Sequence, residues 1–226
     1  FSNCLGSSGG YNINRSCARS YTSEDDQNIR QNTELMLFSS VRHHWDGPKT
    51  DPSSKGTDVM LKGISQFSKK HFGVCVKLVT MEYGRDVNQS KKLISDLGME
   101  NMVQWFPTMY RKDLMAGLVL SDLAFGEFTH SWNCGGCIYE ALVAEKPIIM
   151  RQDDSHSSTT NISSQPPVLS ASNPEDVARW LEEYMANSEK MKETAKEGRR
   201  WYENEVVEKS KQQYMEYIHQ KIQSPS

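Results

Sequence analysis

The sequence predicts an α/β protein: a parallel sheet with helices on both faces. Three observations predict it. Short apolar runs of strand length alternate with amphipathic helical stretches across residues 34–170. Each run ends in turn formers. The loops that follow, beginning at Arg42, Gly84, Pro107, Glu127 and Arg151, carry nearly all the unusual residues of the chain. In a parallel sheet such loops meet along one edge, where ligands bind.

Taken in order, residues 1–33 are polar and poor in apolar anchors, and read as a lead-in or linker ahead of one domain over 34–226. The first strand is Glu34–Val41, followed by the turn-rich stretch Arg42–Ser54. Lys55-Gly56 opens a helix with Met60, Ile64 and Phe67 on one face and Thr57 or Asp58 as its expected cap. Val74–Tyr83 is a strand ending at Gly84-Arg85, and Val87–Leu97 a helix stopped by Gly98. Met102–Phe106 is a strand closed by Pro107, Arg111–Leu120 a helix, and Asp122–Phe125 a fourth strand. A further strand lies at Ile148, followed by a polar loop, Arg151–Gln165. Asn173-Pro174 gives a strong helix start, with Val177, Leu181 and Tyr184 on one face. Two more helices follow at 189–202 and 205–222.

Composition narrows the function classes. Hydrophobic content of 37% and charged content of 24% suit a globular protein, and a net charge of −3 gives no electrostatic case for nucleic acid as a partner. No apolar run approaches the length of a membrane span and nothing resembles a secretory signal. Five irregularly spaced cysteines argue against a disulfide framework and for a reducing compartment, hence a cytoplasmic protein, free or membrane-peripheral. Cys134-Gly135-Gly136-Cys137 is formally a C-x-x-C, but no second pair or matching histidines complete a metal site, so none is expected; a redox pair is the remaining reading of those thiols.

The stretch from Glu127 to Met150 organises the rest. Gly135 and Gly136 stand where a helix begins, with Cys137, Ile138, Ala141 and Leu142 as its apolar side. Glycines there open bare backbone N–H groups, at the positive end of the helix dipole, to an anionic ligand. Glu140, one turn further in, is placed to accept hydrogen bonds from ribose or sugar hydroxyls. The plainer reading of the glycine pair is a tight turn with close packing.

The order of these motifs resembles the C-terminal half of a retaining glycosyltransferase of the two-domain GT-B type, family four (group 1). The matching pieces are Arg42 after the first strand, Lys55-Gly56-Thr57-Asp58, Lys77–Gly84, Lys92–Gly98, Val103–Pro107, Ser121-Asp122, Gly135 through Glu140 to Ile149, and Asn173–Val177 with Trp201. The resemblance implies a Rossmann-like domain, the C-terminal domain of a GT-B fold, and transfer of a hexose from a nucleotide diphosphate sugar. It implies no cofactor beyond that donor, and a role in building a polysaccharide or lipid-linked glycan. By the same resemblance, Arg42 and Lys55 grip the diphosphate and stabilise the leaving group without a metal. Gly135 and Gly136 face the phosphates, Glu140 is the second carboxylate of the family's E-x7-E pattern, and Phe106 and Pro107 open a loop lying against the base. His130 is the histidine best placed for the donor sugar.

Two departures keep a second reading open. Trp132 stands where the first glutamate of E-x7-E is expected, and Glu127 is displaced from that position. Residues 1–33 cannot supply an acceptor domain, so an N-terminal domain or partner subunit is expected to be missing. The alternative is a non-catalytic nucleotide-sugar-binding or interaction module, split or degenerate; a phosphate-binding sensor is a third reading. Val207, Tyr214, Ile218 and Ile222 fall near one face of the last helix, which would give a homo-oligomer if the stripe is left bare.

Overall fold

The computed structural model describes residues 28–48, 50–129, 135–152 and 164–223. The main elements are β1 (Leu35–Ser39), α1 (Thr57–Lys70), β2 (Val76–Met81), α2 (Val87–Asp96), β3 (Val103–Phe106), α3 (Arg111–Leu120), β4 (Leu123–Phe125), α4 (Gly136–Val143), β5 (Ile148–Met150), β6 (Leu169–Ser170), α5 (Pro174–Ala186) and α6 (Ser188–Trp201). A π-helical stretch (Tyr202–Glu208) and α7 (Lys209–Gln223) follow. The six strands pair in the order β3-β2-β1-β4-β5-β6, all parallel. This is the Rossmann-like α/β class that the alternating pattern predicts.

Both sheet faces are covered, which is why β1 reads as an unbroken apolar run. Leu35, Leu37, Leu78, Leu123 and Ile149 point to one side, against Met60, Ile64 and Phe67 of α1 and Val177 and Leu181 of α5. Met36, Phe38, Val79, Ala124 and Ile148 point to the other, against Leu114 and Leu118 of α3, Ile138 and Leu142 of α4, and Trp201 of α6. The order reverses between β1 and β4, so the loops leaving those two strands flank the crevice of the fold.

Three local expectations are corrected. Helix α1 is not capped by Thr57 or Asp58: its N-cap is Gly56, at φ 64°, with no side-chain cap, and Asp58 instead pairs with Lys62 at 2.8 Å. The final two helices are not separated near residue 203: the wide turns of the π-helical stretch carry the chain on, with Tyr202 and Val206 still packed on the core. Leu169–Ser170, which propensity left without an element, is the edge strand β6. Asn173 caps α5 as expected, accepting from the Asp176 N–H at 2.8 Å.

Contacts begin ahead of Glu34. The Arg30 guanidinium binds both oxygens of Asp122, at 2.7 and 3.1 Å, and Asp122 also accepts the Met36 N–H, fastening residues 28–33 beneath the sheet.

The carboxyl edge is held by a close approach. Gly84 lies at φ +120°, and a Cβ there would sit 2.3 Å from the His43 carbonyl oxygen and 2.6 Å from its nitrogen. Gly84→Ala is therefore expected to cost about 3 kcal/mol, through backbone strain plus displacement of the β1 loop. Urea denaturation measures it; a loss within about 0.5 kcal/mol would mean the loop is not clamped there.

Candidate functional site

The loop leaving β1 is bolted to the loop leaving β2. The His43 N–H donates to the Tyr83 carbonyl at 2.7 Å and the Asp86 N–H donates to the His43 carbonyl at 2.9 Å. The Asp86 carboxylate accepts the N–H groups of Trp45 and Asp46 at 2.7 and 3.0 Å. The His43 ring is fully buried, with Nδ1 2.9 Å from the Ser90 hydroxyl and Nε2 3.1 Å from that of Thr80, and it lies against Trp105. His44 is also buried, 3.2 Å from the Asp51 carboxylate.

Burial lowers the His43 pKa to about 4, against the opposing charge of Asp86. The unfolded chain therefore takes up a proton on this residue below about pH 6.5, while the folded protein resists until about pH 4. Folded stability rises with pH across that window and is lost as pH falls through it. A loss of about 2 kcal/mol between pH 7 and pH 4.5 is expected from this ring alone. Denaturant titrations at the two pH values, compared with His43→Gln, test it; an undiminished pH dependence in the variant would refute the assignment.

Arg42 is half-buried, and no carboxylate pairs with it among the described residues. Neither Asp46 nor Asp58 takes it up: Asp58 is on Lys62. Lys55 lies at the other end of the same loop and is 2.6 Å from Glu127 Oε1, with both side chains more than four-fifths buried. The other Glu127 oxygen is buried with no hydrogen-bond partner among the described residues. Backbone packing fixes this pairing. The Phe128 N–H donates to the Lys55 carbonyl at 2.9 Å, and Gly56, left-handed, leaves no room for a Cβ against Phe128 and Thr129. Lys55 and Glu127, far apart in sequence, thus meet where the sheet order reverses.

Gly135 and Gly136 open α4 as predicted. Gly135 is in extended backbone, and a Cβ on it would meet no atom of the described residues within 4 Å. On Gly136 the nearest atom would be the Glu140 carboxylate, at 3.8 Å. Neither conformation nor packing among the described residues asks for glycine here.

Glu140 is largely buried, and its Oε1 is 2.9 Å from the guanidinium of Arg111. Burial raises its pKa, with Arg111 opposing. Arg111, which the sequence marks only as a helix start, joins this edge through that ion pair; a cation in the first turn of α3, the same electrostatic misfit that Lys55 shows, is the signal in the sequence. Cys137 shares this neighbourhood. Its thiol is pushed up to about 12 by burial, then by Glu127 and Glu140, with Lys55 opposing. That is the reverse of a reactive thiolate, and it counts against the redox reading. Phe106 and Pro107 lie on the same edge, at the end of β3, before exposed Tyr110 and Arg111. His130, Trp132 and Cys134 lie outside the described residues. Among the described residues no three His, Cys, Asp or Glu side chains converge as metal ligands do, and no helix is long and apolar enough to cross a membrane.

No protein-family model matches the sequence, and no curated protein matches it. Solved structures do. Anabaena HepE in complex with UDP is 16% identical, at a TM-score of 0.63 over 88% of this chain and 53% of that one. A glycosyltransferase from Rickettsia africae is 17% identical, at 0.63 over 91% and 53%. The C-terminal domain of a glycosyl transferase group 1 family protein, LpcC, from Francisella tularensis is 13% identical, at 0.56 over 82% and 93%. The chain thus has a Rossmann-like fold similar to that of GT-B glycosyltransferases, and it spans about half the length of the first two.

Proposed function

We propose that this chain is the donor-binding half of a retaining glycosyltransferase, moving a hexose from a nucleotide diphosphate sugar to a glycan or lipid-linked acceptor without a metal ion. One observation carries the reading: at the strand-order reversal, a helix opened by Gly135 and Gly136 begins within electrostatic reach of the Lys55–Glu127 pair, both of which act on Cys137 in its first turn. Such a helix terminus suits phosphate, and fixed cations suit the negative charge that builds on a departing nucleoside diphosphate. The likeness to HepE, solved with UDP and with UDP-glucose, supports the same class of ligand here.

In this account Arg42 and Lys55 bear on the diphosphate, and Phe106 and Pro107 bound the base. The unpartnered oxygen of Glu127 accepts a hydroxyl of the transferred sugar, taking the place of the glutamate that Trp132 replaces. Glu140 holds the ribose, sharing its carboxylate with Arg111. The acceptor is bound by a second domain or partner subunit. We place the protein in the cytoplasm, free or membrane-peripheral. Helix α7 buries no residue and leaves Tyr214, Tyr217 and Ile222 exposed, so the isolated chain is expected to self-associate through it. Light scattering at rising concentration checks this; a constant monomer mass would count against it.

A second reading, a binding module without transfer, is favoured by Trp132 and by the neutralisation of Lys55 by Glu127. Proton NMR of sugar nucleotides incubated with the chain, alone and joined to an acceptor domain, separates the two. A new α-anomeric signal supports transfer with retention. Donor bound and never consumed in the joined protein speaks for the binding module, and a β-anomer, which means transfer with inversion, contradicts the retaining reading.

A further inference from the structure

We propose that His43 is the positioning residue for Arg42: its buried ring, bonded at both nitrogens to Ser90 and Thr80, holds the β1 loop so that the adjacent guanidinium faces the donor's diphosphate. The inference rests on the reading of this edge as a diphosphate seat. Arg42 has no carboxylate among the described residues to orient it, so what the structure fixes is the backbone from which its guanidinium extends. That backbone is fixed one residue later, where the His43 N–H and C=O are both taken by the β2 loop and Gly84 presses against them. The ring adds ties to two elements that the main-chain bonds do not reach, Thr80 in β2 and Ser90 in α2. Ser90 also accepts the Trp45 indole N–H at 2.7 Å, so one hydroxyl joins residues on both sides of His44.

A buried polar ring is costly unless each nitrogen is bonded, and an apolar side chain would fill this space without needing partners. Trp45 can only donate, so the Ser90 oxygen accepts from it and the Ser90 proton is left for His43 Nδ1, an arrangement that puts the ring proton on Nε2 and gives it to Thr80. The neutral ring keeps this arrangement through the neutral pH range, since burial holds its pKa low. The bonds orient the loop beyond what packing requires, and the residue next to the ring is the one whose direction the diphosphate depends on.

A double-substitution cycle tests this, with UDP affinity by calorimetry and stability by urea denaturation for His43→Leu and His43→Gln, each alone and with Arg42→Ala. The expected result is about a tenfold affinity loss in His43→Leu, most of it recovered in His43→Gln, and no added loss of affinity when Arg42 is already alanine. The stability change, by contrast, should persist in both backgrounds. If His43→Leu does not fold, Ser90→Ala and Thr80→Val remove the ring's partners singly and enter the same cycle. Equal affinity losses with and without Arg42, or none, would overturn the proposal while leaving the site reading in place. Absence of UDP binding by the unsubstituted chain, with GDP and ADP also failing, would overturn the site reading and this proposal with it.

Discussion

Lys55→Ala is expected to lower affinity for a nucleoside diphosphate by about 100-fold and to destabilise the fold by about 3 kcal/mol. The two effects have different origins. Affinity falls because a cation at the phosphate seat is gone. Stability falls because Glu127, more than four-fifths buried, loses the cation paired with its Oε1, while Oε2 has no hydrogen-bond partner among the described residues. The second substitution Glu127→Gln separates them. With the buried charge removed, most of the stability should return, since a neutral amide costs far less to bury than an unpaired carboxylate. The affinity should not return. If it does, Lys55 serves the fold and the phosphate role is wrong.

Gly135→Val is expected to show the opposite pattern: stability within about 0.5 kcal/mol of the parent and nucleotide affinity lowered by about 100-fold. The extended backbone at Gly135 suits a β-branched residue, and a Cβ there meets nothing of the described protein within 4 Å. The N–H groups of the α4 turn that follows are where the phosphates are proposed to sit, so branched bulk at the residue before them is expected to obstruct the approach. Denaturation and titration on the same sample decide it. A valine that unfolds the protein, or that binds nucleotide normally, would return Gly135 to the plain structural reading.

Much of the fold was legible because its signals are local. Alternating apolar runs, the Gly98 stop and the Asn173-Pro174 start each report on a few neighbouring residues, and β1 announces its burial by apolar residues on both faces. The π-helical run and β6 were not legible: the first depends on Tyr202 and Val206 reaching the core across a longer turn, the second on two residues finding an edge partner in β5. The cap of α1 was misread because Gly56 is held left-handed by Phe128 and Thr129, a contact across 72 residues that propensity does not see. The site shows the same division. Lys55, Glu127, Gly135, Gly136 and Glu140 carry chemistry visible in their own residue types. His43, Asp86 and Ser90 do not, since their importance lies in partners drawn from three separate elements. The residue type of Glu127 shows a carboxylate, but its pairing lies in the 2.6 Å approach to Lys55 across the fold.

The most direct test of the central claim is calorimetric titration of the chain with UDP, GDP and ADP, with and without a chelator. The account predicts that one of them binds, that chelator leaves the affinity unchanged, and that Lys55→Ala or Gly135→Val each lowers the affinity about 100-fold. Failure of all three nucleotides, or affinity that both variants retain, would contradict it.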